Sequence, residues 1–130
     1  MTVAGLDHVS LPLRDTDAMV SFYRALGFGV AEHKAVVSGY AGDQMINFHR
    51  PHIWQREGFT LRAPAARPPC GDLCFVWDGP ADALHRRLAD AGAVIEEGPV
   101  ERAGGRRATG TSVCVRDPDG NLLEFMIYVR

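Results

Sequence analysis

The chain has 130 residues, of which 46% are hydrophobic and 23% are charged, and these values are ordinary for one globular domain with its own core. A formal net charge of −2 supplies no strong positive field, which argues against nucleic acid and anionic membranes as partners. No apolar run is long enough to span a membrane, and three cysteines without a CxxC pair favour a reducing cytoplasm and buried thiols over a disulfide framework.

The first half of the chain predicts a strand, a helix and two further strands. The predicted elements, in order, are a strand over residues 5–13, a helix capped by Asp15 or Thr16 and ended by Gly27, and strands over 28–37 and 44–50. Pro12 cannot donate to a ladder, so it places the end of the first strand at a sheet edge or a bulge. Residues 39–42 predict the turn between the two later strands.

A linker over residues 51–70 leads to a second half with the same order of elements. It contains four prolines and no clear period, so we expect it to cover a site or to cross between the halves. The predicted elements of the second half are a strand over 72–77, a helix from Gly79-Pro80 to Gly92, a short strand from 94, a Gly/Arg-rich loop over 100–110, and strands over 111–116 and 122–129.

The two halves also match weakly in sequence. Leu26-Gly27 matches Ala91-Gly92 at the helix ends, and Met45-Ile46-Asn47-Phe48 matches Leu122-Leu123-Glu124-Phe125 near the ends of the halves. Both similarity and element order therefore predict a duplicated unit within one domain, with repeats at about 4–50 and 71–130.

Glu124 is the one acidic residue in the last strand, which is otherwise almost wholly apolar and is predicted to be buried on both faces. A buried carboxylate needs a metal, a proton or a cation as its partner. Arg102 and Arg116 are the alternative cations, with which Glu124 would form a salt bridge of no catalytic purpose.

The duplication makes four positions equivalent: His8 and Asp72 on the opening strands, and Asn47 and Glu124 on the closing strands. If the two sheets curl around a shared cleft, His, Asp and Glu side chains converge as donors for a divalent metal with one position open. His49 faces the same side as Asn47 and can serve in its place. Each residue taken alone has a simpler structural explanation, such as a core histidine or a solvated aspartate.

Several stretches together resemble a known family. They are Gly5-Leu-Asp-His-Val, Phe22-Tyr-Arg-Ala-Leu-Gly-Phe, Ile46-Asn-Phe-His, Asp72-Leu-Cys-Phe, Ile95-Glu-Glu-Gly-Pro-Val-Glu-Arg and Arg116-Asp-Pro-Asp-Gly-Asn-Leu-Leu-Glu. They resemble the vicinal oxygen chelate superfamily, which includes glyoxalase I, fosfomycin-resistance proteins, bleomycin-binding proteins and extradiol dioxygenases. The nearest resemblance is to small glyoxalase domain-containing 5-like proteins.

The resemblance implies an α+β fold in which two βαβββ repeats form a curved mixed sheet around a cleft. It also implies a homodimer, and a divalent metal held by His8 and Glu124 that chelates two neighbouring oxygens of a substrate. Asp72 stands where most members have histidine, and Asn47 where glyoxalase I has glutamate. One imidazole with two carboxylates suits Mn²⁺ or Mg²⁺, with Zn²⁺ or Ni²⁺ as alternatives, and Asn47, His49 or water completes the set.

Three functions remain open from the sequence. The first is a metal-dependent lyase or isomerase in which Glu124 or Asp72 moves a proton, Arg102 holds an anionic part of the substrate and Tyr40 lines the cleft. The second is a binding protein without turnover, of the bleomycin-binding type. The third is a ring-cleaving dioxygenase, which Asp72 disfavours because such iron sites use two histidines and one carboxylate.

Overall fold

The computed structural model describes residues 1–129, which contain eight strands and three helices. The elements in chain order are β1 (His8–Pro12), α1 (Thr16–Leu26), β2 (Gly29–Glu32), β3 (Val36–Ala41), β4 (Gln44–His49), α2 (Pro51–Trp54), β5 (Asp72–Val76), α3 (Ala81–Asp90), β6 (Glu97–Ala103), β7 (Thr109–Arg116) and β8 (Leu122–Tyr128). The predicted α+β class is confirmed. No helix among these residues is long and apolar enough to cross a membrane.

The strands form two mixed sheets of identical topology rather than one continuous sheet. Sheet A has the order β1-β4-β3-β2, and sheet B has the order β5-β8-β7-β6. In each sheet the opening strand pairs in parallel with the closing strand, and the other pairs are antiparallel. Both opening strands are edges, which agrees with the position predicted from Pro12.

One face of each sheet contributes to a single hydrophobic core. Sheet A contributes Val37, Ile46 and Phe48, and sheet B contributes Val113, Val115, Leu123 and Phe125. Helices α1 and α3 cover these faces and contact each other. Because side chains alternate along a strand, the opposite faces are left free to carry polar residues. Those faces hold the candidate site.

Helix α1 begins and ends where the sequence predicts. The Asp15 carboxylate accepts a hydrogen bond from the Ala18 backbone N–H at 3.2 Å, which caps the first turn. Gly27 terminates the helix in the left-handed conformation, with φ of 98°. The buried face carries Met19, Phe22, Tyr23 and Leu26, the stripe expected from the helical period.

The predicted boundaries were wrong in several places. The strand predicted over 28–37 is broken, because β2 ends at Glu32 and β3 begins at Val36, and the strand predicted from 94 begins only at Glu97. Gly39 and Tyr40 lie inside β3 rather than in a turn, because both pair with β2 on one side and β4 on the other. The turn is at Gly42, which has φ of 59°. The predicted loop over 100–110 was also too long: β6 continues to Ala103, so Arg102 lies on a strand.

Burial corrects two further expectations. The last strand, β8, was predicted to be buried on both faces. Three of its seven residues are buried, and the other four are only half-buried. Cys114 is a buried free thiol as predicted, but Cys70 and Cys74 are exposed free thiols.

The turn between β7 and β8 connects the two halves of the chain through hydrogen bonds. Asp117 and Asp119 are each only 3% exposed. Asp117 accepts hydrogen bonds from the Tyr23 hydroxyl at 2.7 Å and from the Asn121 backbone and side chain at 2.9 Å. Its burial raises the pKa of the Asp117 carboxyl, although the bonds from Asn121 and Tyr23 oppose that shift.

The other two polar residues of this turn bind the backbone of distant segments. Asp119 accepts from the backbone N–H groups of Arg14 and Asp15 at 2.7 and 2.8 Å, at the start of α1. Asn121 accepts from the backbone N–H of Gly71 at 2.9 Å, just before β5. The Asp-Pro-Asp-Gly-Asn segment, the most specific part of the family resemblance, therefore has a structural role in this chain.

Gly98 gives a test of the β6 geometry. Its φ is 105°, and an added Cβ would lie 2.4 Å from the Ser112 carbonyl oxygen. We expect Gly98→Ala to lower the free energy of unfolding by about 2–3 kcal/mol, because the backbone must shift and an L residue is strained at this φ. Urea denaturation measures the change. Gly105→Ala is the matched control, since no heavy atom lies within 4 Å of its added Cβ. Equal stabilities of the two variants would contradict the close approach.

Candidate functional site

Asn47 and Glu124 occupy the same position in their respective sheets. In sheet B, Glu124 on β8 lies between Cys74 on β5 and Cys114 on β7. In sheet A, Asn47 on β4 lies between Ser10 on β1 and Ser38 on β3. His8 and Asp72 come two residues before the partners on the opening strands, and so lie on the same faces. The register therefore relates the four predicted residues as the repeat requires.

Glu124 lacks a complete set of partners. Its side chain is 21% exposed, and its buried Oε2 atom accepts no hydrogen bond. The Arg102 Nε atom is 3.7 Å from this oxygen, close enough for ion-pair attraction but too far for a hydrogen bond. Of the two cations considered from the sequence, Arg102 is therefore the neighbour of Glu124, whereas Arg116 pairs with Glu96 at 3.2 Å.

Two thiols lie on either side of Glu124 and remain protonated at neutral pH. Although Cys74 is exposed as a residue, partial loss of water around its thiol, followed by the Glu124 charge, raises the pKa of Cys74 to about 11. Burial and the same charge also raise the pKa of Cys114, although Arg102 acts in the opposite direction. Glu124 is thus a carboxylic side chain that lies between two thiols in this row of three residues.

The equivalent position in sheet A is neutral and already hydrogen bonded. Asn47 Oδ1 accepts from the Ser38 hydroxyl at 2.9 Å, and Ser38 is 3% exposed. His49 packs edge-on against Phe59, with 5.4 Å between ring centroids. Burial lowers the pKa of His49, so its imidazole is neutral at pH 7 and has a nitrogen lone pair available.

His8 and Asp72 are more exposed than Glu124. The His8 Nδ1 atom is 2.6 Å from the Asp7 carboxylate, and the His8 side chain is 44% exposed. His8 also lines a small cavity of about 100 Å³ together with Cys74 of sheet B, so β1 approaches the second half. Asp72 begins β5 at an exposed position.

The donors only partly fit a divalent cation. The donor chemistry fits, because the set contains one imidazole and two carboxylates. The buried Glu124 Oε2 atom also fits, because no described residue donates a hydrogen bond to it. The arrangement does not complete a site: within residues 1–129, no three His, Cys, Asp or Glu side chains form a group that could hold a metal. His8, Asp72 and Glu124 would therefore have to move closer together, or to gain a ligand from elsewhere, to bind an ion.

Tyr40 lines a cavity that Glu124 does not reach. A cavity of about 520 Å³ between the halves is lined by Tyr40, Trp77 and Arg106, with Cys74 at its wall. A neighbouring cavity of about 660 Å³ is lined by Trp77, Arg106 and Tyr128. The structure thus brings Arg102 to Glu124 but places Tyr40 elsewhere, beside an arginine that the sequence did not single out.

The burial of His49 can be tested by measuring how its imidazole titrates with pH. Its lowered pKa means that the unfolded chain binds this proton more readily than the folded chain does. We expect His49 to contribute stability that is present above pH 6.5 and is lost as the pH falls through the folded pKa. NMR titration of the imidazole, assigned with His49→Gln, should give a midpoint below 6.5. A midpoint at or above 6.5 would contradict the burial of His49.

Comparison with known proteins decides the family. The model of the Glyoxalase/Bleomycin resistance protein/Dioxygenase superfamily matches residues 5–125. The chain belongs to this superfamily. The resemblance drawn from the sequence motifs is therefore confirmed, and the fold of paired repeats follows from it.

Similar members of the superfamily cover almost the whole chain. Virulence protein STM3117 of Salmonella typhimurium is 37% identical over 99% of this chain and 88% of its own length. Its crystal structure matches with a TM-score of 0.85 at 35% identity, covering 99% of this chain and 100% of that one. Glyoxalase domain-containing protein RDO1 of Mycosarcoma maydis is 37% identical over 98% of this chain and 70% of its own.

A third similar protein is an integron cassette protein from the V. cholerae mobile metagenome. Its structure has a TM-score of 0.85 at 34% identity, and the match covers 99% of this chain and 98% of that chain. These names include both a glyoxalase domain and a virulence protein, so superfamily membership leaves the reaction open.

The sequence did not reveal Glu97 as a neighbour of the site. Glu97 is 2.8 Å from Arg102 and lies opposite Cys114 of β7, which separates it from Glu124 on β8. Residues five apart face opposite sides of a regular strand. The register shift between Glu97 and Val100 allows the two side chains to meet, and no sequence period signals such an irregularity.

Proposed function

We propose that the protein is a metal-dependent, glyoxalase-like lyase or isomerase that acts on a small substrate with two neighbouring oxygens. The observation that carries this proposal is the Glu124 carboxylate, whose buried Oε2 has no hydrogen-bond donor although an arginine is nearby. A buried carboxylate oxygen in this state is costly unless a cation or a proton meets it.

In this proposal His8, Asp72 and Glu124 would hold a divalent ion such as Mn²⁺ or Mg²⁺, with Asn47, His49 or water as a further ligand. When bound, the ion would supply Lewis-acid stabilisation of negative charge on substrate oxygens. Glu124 would accept or return the proton of the carbon being rearranged, since no described residue donates a hydrogen bond to its Oε2 atom. Arg102 would attract an anionic group of the substrate.

A homodimer is part of the proposal. One chain does not assemble three metal-ligating side chains within residues 1–129, and β1 and β5 are both sheet edges. A second copy could supply the missing ligand or hold the two sheets closer together. Analytical ultracentrifugation with and without Mn²⁺ measures the mass. A monomer under both conditions would remove the dimer from the proposal.

The experiment that tests the function compares chelator-stripped and metal-reconstituted protein. Substrates are adducts of glutathione with 2-oxoaldehydes and a panel of α-hydroxyketones. We expect turnover only after reconstitution, and loss of turnover in Glu124→Gln with the fold retained. Cys114→Ser serves as the control, since it changes the neighbouring thiol but not the carboxylate.

A binding protein without turnover is the second candidate. The observation in its favour is that the predicted metal ligands do not form a group in the described part of the chain. Cavities of about 520 and 660 Å³ are large enough for a small organic molecule. Tight binding of a drug-sized ligand by metal-free protein, with no turnover after reconstitution, would favour this function over the enzyme.

A further inference from the structure

We propose that the cavity of about 520 Å³ between the two halves binds a small aromatic molecule that carries a carboxylate. Arg106 would hold the carboxylate, and the rings of Tyr40 and Trp77 would contact the aromatic body of the ligand. The inference goes beyond the proposed function, because Glu124 does not line this cavity and the binding needs no metal.

The walls of this cavity fit an aromatic ligand. Five aromatic side chains line it: Phe28, Tyr40, Phe75, Trp77 and Phe125. A volume of about 520 Å³ lies in the range of small-molecule sites, and aromatic walls pack favourably against a flat ring. The neighbouring cavity of about 660 Å³ shares the walls formed by Trp77 and Arg106, which gives a longer ligand room to extend.

Arg106 supplies the positive charge of the cavity, as the one basic residue among the described residues that line it. Asp78 is the acidic residue of this lining, and it already has an interaction of its own. The Arg106 Cζ atom lies 5.0 Å from the centre of the Tyr128 ring, and this contact positions the guanidinium. Arg106 takes part in no ion pair within residues 1–129, so its charge is available to a ligand.

The rings of Trp77 and Tyr40 are in place before a ligand arrives. The Trp77 Nε1 atom donates to the Pro80 carbonyl at 3.2 Å, which fixes the plane of the indole. Tyr40 lies in β3 and is 45% exposed, so its ring is accessible to a ligand. Rings that are already positioned lose little freedom on binding, which lowers the cost of holding a ligand.

The internal repeat favours a carboxylate at this place. The turn between β7 and β8 reaches the segment after β1, where the Asp119 carboxylate accepts from the backbone of Arg14 and Asp15. Its counterpart is the turn between β3 and β4, which faces the segment after β5 across the cavity. Asp43, the acidic residue of that turn, lines a different cavity. A ligand carboxylate would therefore take the place that Asp119 has in the other half.

Binding can be followed through the NMR signals of the two indole N–H groups while 2-naphthoate is added to metal-free protein. Trp77→Phe assigns the signals. The Trp77 signal should shift and saturate, whereas the Trp54 signal should stay, because Trp54 lies in α2 and its Nε1 donates to the Leu13 carbonyl. The uncharged 2-naphthamide has the same shape, and we expect it to bind at least about fivefold more weakly.

Arg106→Met should weaken 2-naphthoate binding at least about tenfold and change 2-naphthamide binding less than about threefold. Arg107→Met is the matched control, because Arg107 is the neighbouring exposed arginine and lines neither cavity. Its effect on both probes should stay below about threefold.

Three results would overturn the inference: a Trp77 signal that does not move with 2-naphthoate, equal affinities for the two probes, or equal effects of the two arginine substitutions. A Trp77 signal that moves with protein concentration but not with the probe would also overturn it, in favour of a second copy in the cavity. The affinity for 2-naphthoate should be the same before and after reconstitution with Mn²⁺. The metal-dependent function can therefore fail while this inference holds, and the reverse.

Discussion

Asp117→Ala is expected to lower the free energy of unfolding by about 2–4 kcal/mol. Asp117 is 3% exposed and accepts hydrogen bonds from the Tyr23 hydroxyl and from Gly120 and Asn121. Alanine would leave the Tyr23 hydroxyl, in a side chain only 2% exposed, without its acceptor. The loss of these bonds outweighs the cost of burying the carboxylate, because several donors would be stranded at once.

The size of this effect should depend on pH. Burial raises the pKa of Asp117 above 3.8, so the folded chain holds this proton to a higher pH than the unfolded chain does. The stability that the group contributes is therefore full below pH 3.8 and declines as the pH rises through the folded pKa. We expect the difference in stability between wild type and Asp117→Ala to be larger near pH 4 than at pH 7.

Urea denaturation monitored by circular dichroism at both pH values checks these expectations. Asp90→Ala is the control, because Asp90 is exposed at the end of α3. Its effect should remain within about 0.5 kcal/mol. An Asp117→Ala variant as stable as Asp90→Ala would mean that the hydrogen bonds of the turn do not hold the halves together.

The second large effect is on cation binding: Glu124→Gln should weaken it by at least about 100-fold. Loss of an outer partner of a metal ligand already costs about 10–100-fold, and removing the charge of a ligand should cost more. Glutamine keeps the shape of the side chain, so the fold should survive. Calorimetric titration of Mn²⁺ and Zn²⁺ into metal-free protein measures the change.

Glu96→Gln is the matched control for this prediction. It also removes one negative charge near β6, but Glu96 is half exposed and pairs with Arg116. We expect its affinity for cations to stay within about threefold of the wild type. Similar losses in the two variants would show that total charge, rather than Glu124 itself, determines the affinity.

Local patterns in the sequence were sufficient for helices α1 and α3 and for most strands, but not for the short helix α2, which lies in the predicted linker. The apolar stripe of α1 and the glycine at its end are local signals, and the structure follows them. The match of Asn47 with Glu124 also anticipated that both residues sit at the same register of equivalent sheets. An internal repeat gives this information because the same sequence segment adopts the same position twice.

Features that depend on tertiary packing could not be predicted in this way. Gly39 looked like a turn residue, but it lies in β3 under aromatic rings that come from other elements. Arg102 looked like a loop residue, and its contact with Glu97 depends on a register shift in β6. The Asp117 turn identified the superfamily, yet its role in binding α1 and the start of β5 appears only when distant segments meet.

If the proposed function is right, Glu124 binds a divalent cation. An anomalous difference map from crystals grown with Mn²⁺ tests it most directly, since the map locates the ion without assuming its ligands. We predict one peak per chain, at bonding distance from a Glu124 carboxylate oxygen and from the imidazole of His8. No peak, or a peak whose ligands do not include Glu124, would contradict the account.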